Sequence, residues 1–138
     1  MLLLDTNIFL EYLLDQERAN EVTAFFHWVH QQQIPVICTH YSIHSIESTL
    51  SARKEWTKLL DFLSFIEKMA SIAVYETSIP EEQKITQLVS EKNLDFDDAL
   101  QYFVAKKNNC GAIVSFDHHF DKTDLARKTP ADFLEAGQ

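Results

Sequence analysis

The sequence predicts an α/β fold on a mainly parallel sheet. Three observations carry that reading. Short apolar runs of strand length alternate with longer stretches of helical period. Only 2 glycines and 3 prolines interrupt 138 residues, which leaves little room for linkers or low-complexity tails. That length suits one domain spanning 1–138, long enough to bury roughly two thirds of the surface an unfolded chain exposes.

The elements follow in order. Leu2–Leu4 is an apolar run that reads as a buried strand. Asp5, Thr6 and Asn7 are helix-capping types, and Ile8–Leu14 continues as a short helix. Glu17–Gln33 is a longer helix, with Val22, Phe25, Phe26 and Val29 on one face. Pro35 ends it, and Val36–Cys38 is a second strand. Tyr41–Arg53 carries Ile43, Ile46 and Leu50 as a stripe. Trp56–Met69 is amphipathic, with Leu59, Leu60, Phe62, Leu63, Phe65 and Ile66 forming a broad apolar face. Ile72–Tyr75 is a third strand. Pro80 suits the first turn of a helix running to Glu91, and Asp95–Lys107 is another helix, with Phe96, Leu100 and Phe103 as its apolar stripe. Gly111 stops it, and Ala112–Phe116 is a fourth strand. A polar tail follows, with a short helix at Ala131–Glu135.

Composition bounds the function. Hydrophobic content of 46% and charged content of 24% are those of an ordinary globular protein. Cys38 and Cys110 lie far apart beside apolar runs and read as buried reduced thiols. The apolar start breaks at Asp5 without a basic flank, so a cytoplasmic location is expected. A net charge of −9 opposes direct phosphate binding. The exception is an enzyme whose acids hold a metal that in turn meets the phosphate.

The acids are placed for that exception. Asp5 follows the first strand and Asp117 the fourth; Asp95 and Asp98 open a helix; Glu47 lies on the helix after the second strand. In parallel α/β sheets, sites form where strands end and helices begin. Carboxylate oxygens suit Mg²⁺ or Mn²⁺, which can activate water and offset charge on a phosphoryl oxygen. Each acid also has a plainer reading: Asp5 as a helix cap, Asp95 with Asp98 at capping-box spacing, Glu47 as a solvated helix residue, Asp117 as a turn aspartate.

Three segments carry a resemblance. Leu2–Leu10 reads as hydrophobic strand, Asp-Thr-Asn and apolar helix; Asp95–Gln101 contains Asp98-Ala99-Leu100; Ala112–Phe120 holds a late strand and Ser115-Phe116-Asp117-His118-His119-Phe120. In that order and spacing they resemble PIN-domain proteins, with Ser115 where the family has threonine. Lys128–Leu134 is also similar to family members. The resemblance implies a three-layer α/β/α sandwich and a magnesium- or manganese-dependent endoribonuclease, the toxin of a VapC-type toxin–antitoxin pair. It implies a metal-binding set of Asp5, Glu47, Asp98 and Asp117, with Asp95 as a fifth acid and Asn7 and Ser115 in support. RNA as substrate, an antitoxin partner and a homodimer follow from the same likeness. The alternatives are a metal-dependent phosphatase or phosphotransferase, for which Asp5-Thr6-Asn7 lacks the second aspartate of a D-x-D pair, and a PIN-fold binding module without catalysis.

Other features favour duller readings. His40, His44 and Glu47 have a zinc-like spacing without a closed ligand set. His118 and His119 read as solvated loop residues ahead of a contact with RNA or a labile metal, and Lys106, Lys107, Lys122, Arg127 and Lys128 as solvated charge ahead of phosphate steering. Phe62 and Phe65 read as core or dimer surface rather than a stacking platform for bases.

Overall fold

A computed structural model describes residues 1–136. Five parallel strands form one sheet in the order β3-β2-β1-β4-β5. They are β1 (Leu2–Leu4), β2 (Val36–Thr39), β3 (Ile72–Tyr75), β4 (Ala112–Val114) and β5 (Arg127–Lys128). The helices are α1 (Thr6–Leu13), α2 (Ala19–Gln32), α3 (His40–Ala52), α4 (Trp56–Lys68), α5 (Ile79–Lys92), α6 (Phe96–Lys107) and α7 (Pro130–Ala136). A 3-10 turn spans His118–Lys122.

Strand alternation divides the core into two halves. Leu2, Leu4, Val36, Cys38, Ala112 and Val114 point to one face and pack with apolar residues of α1 to α4. Leu3, Ile37 and Ile113 point to the other, against Ile85 of α5 and Ala99, Leu100 and Val104 of α6. The fold is therefore a three-layer α/β/α sandwich, as expected. Both cysteines are free and buried, and burial pushes the Cys38 thiol up to about 12, which keeps it unreactive.

The boundaries differ from the sequence reading in ways that matter for the site. β4 stops at Val114 instead of Phe116, because the Ser115 side chain turns in to Asp5 while Phe116 N–H donates to Asn7 Oδ1 at 3.2 Å. β5 is absent from the sequence reading: Arg-Lys has no apolar signal, yet Ile113 N–H donates to Ala126 O at 2.9 Å and Ser115 N–H to Lys128 O at 3.0 Å. On α6 the inward face is Asp98, Ala99, Leu100, Gln101, Tyr102, Val104 and Ala105, wider than the expected stripe, and Phe96 and Phe103 are only half-buried.

β1 is the switch point of the sheet. The chain moves outward from it through β2 to β3, then crosses back to place β4 on its other side. Leu4 pairs with Val114, so both central strands end at the same rim. Such a crevice is where α/β sheets hold ligands. Among the described residues, no helix is long and apolar enough to cross a membrane.

A cavity of about 400 Å³ opens elsewhere, between α1, α2 and α4, lined chiefly by Phe9, Leu13, Phe26, Phe62, Phe65 and Met69. None of the candidate acids lines it, and its apolar wall suits the apolar side of a partner rather than a phosphate.

Candidate metal centre

Three of the predicted acids meet at the rim. Asp5 directly follows β1 and caps α1, its Oδ1 accepting from Thr6 N–H at 2.8 Å. It is 7% exposed. Ser115 Oγ donates to its Oδ2 at 2.7 Å, Asn7 Nδ2 to the same oxygen at 3.3 Å, and Gln101 Nε2 to Oδ1 at 3.3 Å. Asn7 Nδ2 also donates to Ser115 Oγ at 3.1 Å. Asn7 and Ser115 thus hold Asp5 to the end of β4.

Asp117 caps the 3-10 turn, its Oδ1 accepting from His119 N–H at 2.9 Å, while its own N–H donates to Ser115 Oγ at 2.9 Å. Asp98 lies in the first turn of α6 and is 6% exposed. His119 Nδ1 sits between these two carboxylates, 3.0 Å from Asp98 Oδ2 and 3.1 Å from Asp117 Oδ2. One donor atom from each of Asp98, Asp117 and His119 lies within 4.8 Å of the others, as does one from each of Asp95, Asp97 and Asp98.

Electrostatics marks the cluster as short of positive charge. Burial raises the Asp5 carboxyl to about 6; hydrogen bonds from Ser115 and Thr6 oppose this, and the Asp98 and Asp117 charges add to it. Asp98 is also raised, first by burial and then by Asp97, with the His119 contact working the other way. His119 is raised by its bond to Asp98 and by the charge of Asp117. Ionised acids crowded this way are relieved by a cation. The donor set is hard oxygen with one imidazole, which fits a six-coordinate divalent ion. Beside Asp5, the Gln101 Oε1 atom is buried without a hydrogen-bond partner, a further oxygen lacking a positive neighbour.

Of the expected acids, Asp95 shares a group with Asp98, Asp5 lies outside both groups and reaches them through Ser115 and through charge, and Glu47 stands apart. Asp95 is exposed at the N-cap of α6, and its side chain caps nothing. Glu47 is on α3 with its side chain about one-third exposed, its Oε1 2.8 Å from His44 Nδ1, and it does not join the groups close enough to share an ion. The part of α3 that does reach the site is Ser42: its Oγ accepts from Gln101 Nε2 at 2.6 Å and from Thr6 Oγ1 at 2.7 Å. Ser42 opens the Ser42–Glu47 segment that is similar to the family's serine-then-glutamate helix, whereas Gln101 has no such mark; a glutamine one turn after Asp98 on an otherwise apolar helix face is the available signal. His119 departs from its reading as a solvated loop residue. It is 58% exposed yet bound to two acids, because the Asp117 cap fixes the turn that carries it.

The PIN domain family model matches residues 2–125. The chain belongs to the PIN-domain family. Solved structures agree on the fold. The PIN domain here is similar to the VapC20 toxin of Mycobacterium tuberculosis, described as cleaving the sarcin-ricin loop, with a TM-score of 0.76, 14% identity, and coverage of 91% of this chain and 97% of that one. VapBC2 from Rickettsia felis, bound to a promoter DNA fragment, gives a TM-score of 0.68 at 14% identity, covering 93% and 97%. PAE2754 from Pyrobaculum aerophilum gives 0.66 at 17% identity, covering 99% and 97%. No curated protein matches the sequence.

Proposed function

We propose that this PIN domain is a divalent-metal-dependent endoribonuclease, the toxin of a VapC-type toxin–antitoxin pair. The observation that carries this is the gathering of Asp5, Asp98 and Asp117 at the sheet's switch point, where burial raises Asp5 and Asp98 and the charge of Asp117 adds to both. Bound Mg²⁺ or Mn²⁺ would supply a Lewis acid for the phosphoryl oxygen and a water nucleophile near neutral pH. The side chains do the rest. Asp98 and Asp117 hold the ion, and Asp5 is aimed by Ser115 and Asn7 so that its carboxylate cannot swing away. Asp95, at the exposed rim, is an outer acid. Glu47 serves as a ligand only after releasing His44.

RNA as the substrate class is supported by the likeness to the Mycobacterium toxin described as cleaving the sarcin-ricin loop, and by the solvent-facing rim. The antitoxin partner rests on neighbours that are themselves toxin–antitoxin assemblies, among them one from Klebsiella pneumoniae. The apolar groove between α1, α2 and α4 gives such a partner a docking surface. A homodimer is the expected working form, and exposed Trp56 and Leu60 on α4 leave apolar area for it. The proposed location is the cytoplasm.

The test is direct. Purified protein is incubated with labelled RNA, and separately with a phosphomonoester, with and without Mn²⁺. Internal RNA cleavage that needs Mn²⁺ and is lost in Asp5→Asn is the expected result. Phosphomonoester hydrolysis alone would favour the phosphatase alternative, and inertness toward both would favour a binding module.

A further inference from the structure

We propose that His119 is itself a ligand of the metal ion, so that the centre is a mixed carboxylate–imidazole site that favours Mn²⁺ over Mg²⁺. The inference rests on the metal-nuclease reading above and adds a residue and a metal preference to it.

The geometry begins with Asp117. By accepting the His119 N–H at 2.9 Å it starts the 3-10 turn and points the imidazole back across the rim. Nδ1 then lies 3.0 Å from Asp98 and 3.1 Å from Asp117. A single N–H has one hydrogen and cannot align with two carboxylates at once. A cation satisfies all three atoms together. Adjacent ligands around an octahedral ion with bonds of about 2.1 Å sit about 3 Å apart, which is the spacing found here. The carboxylates need little movement, because Asp98 is buried and Asp117 is tied to Ser115.

The chemistry sets the preference. Mg²⁺ favours oxygen donors, whereas imidazole suits later transition ions better, and Mn²⁺ lies between the two groups. Replacing one oxygen ligand by nitrogen therefore costs Mg²⁺ more than Mn²⁺.

The experiment uses the full chain with MnCl₂ and MgCl₂ as probes. Calorimetric titration gives both affinities, and electron spin-echo spectroscopy of bound Mn²⁺ reports a directly bonded nitrogen. Wild type should show ¹⁴N modulation, and His119→Ala should lose it together with about tenfold of its Mn²⁺ affinity. His119→Asp should regain Mn²⁺ binding without the ¹⁴N signal and bind Mg²⁺ more tightly than wild type. Mn²⁺ bound to wild type without ¹⁴N modulation, and unchanged in His119→Ala, overturns the ligand assignment while leaving the metal reading intact. Mn²⁺ binding that Asp5→Asn, Asp98→Asn and His119→Ala all leave unaltered overturns both.

Discussion

Asp5 is a carboxylate held where a carboxylate is costly. It is buried, and two other acids raise it further, to about 6 from an ordinary 3.8. A raised carboxyl destabilises the fold at neutral pH, and that penalty is relieved as pH falls through the folded value toward the unfolded one. The shift corresponds to about 3 kcal/mol at neutral pH. His119 acts in the same direction: its pairing with Asp98 and Asp117 stabilises when protonated and is lost as pH rises through its raised folded value. Metal-free protein should therefore melt at a higher temperature at pH 5.5 than at pH 7.5. In Asp5→Asn the gain should shrink to the Asp98 and His119 parts, and cleavage should fall by on the order of 10²-fold or more. Thermal melts in EDTA at the two pH values read the first outcome. An Asp5→Asn protein with the wild-type pH slope would place the burial penalty elsewhere.

At the scale of elements, α5 shows how a helix start can tie a sheet edge to its cover. Ser78 and Glu81 form a capping box, and the same Glu81 accepts from Tyr75 of β3 at 2.6 Å and from Lys107 of α6. The Lys107 and Tyr75 contacts hold its carboxyl down at about 2. A depressed carboxyl contributes stability above its unfolded value, and this is lost as pH falls toward the folded one. Glu81→Gln should cost about 1 kcal/mol at pH 7. The difference from wild type should vanish as pH drops from about 4.5 toward 2, read by urea unfolding across that range. A constant difference down to pH 2 would assign the loss to packing instead of charge. Elements of this kind were legible in the sequence because their signals are local: Ser78, Pro80 and Glu81 mark one start, Pro35 one stop. β5 was not, since Arg127 and Lys128 form a strand only because β4 offers an open edge and Arg127 Nη1 donates to Ser115 O at 3.0 Å.

The whole molecule carries −9, and several of its cations are already held by acids. Lys106 pairs with Asp124 at 2.9 Å, Lys107 with Glu81, and Arg127 with Asp121 at 2.7 Å. Attraction to phosphate should then come from the bound ion. A labelled phosphorothioate RNA, which resists hydrolysis, should show negligible anisotropy change in EDTA at physiological salt and clear binding with Mn²⁺. Equal binding in both would mean a basic surface does the recruiting. This scale also limits what the sequence could reveal of the site. Asp5, Asp98 and Asp117 were readable because each ends or begins an element at the sheet rim. Gln101 was not, and His119 ranked as solvated ahead of a metal contact, because a glutamine on a helix and a histidine in a loop acquire their places only when β1, α3, α6 and the 3-10 turn converge.

The bonds that join Asp5 and Asn7 to the end of β4 span 108 to 110 positions of chain. Contacts so distant close late, because the intervening loop entropy has to be overcome first. Helices α2 and α4 can gain structure long before β1 finds β4. A chain caught halfway through folding is thus helical but without an assembled site, its acids scattered. In refolding from urea, ellipticity at 222 nm should recover ahead of nuclease activity, and activity should follow the slowest phase alone. Simultaneous recovery would mean that β1 and β4 pair at the outset. For an enzyme read as toxic to its own host, catalysis would then be a property of the finished fold only.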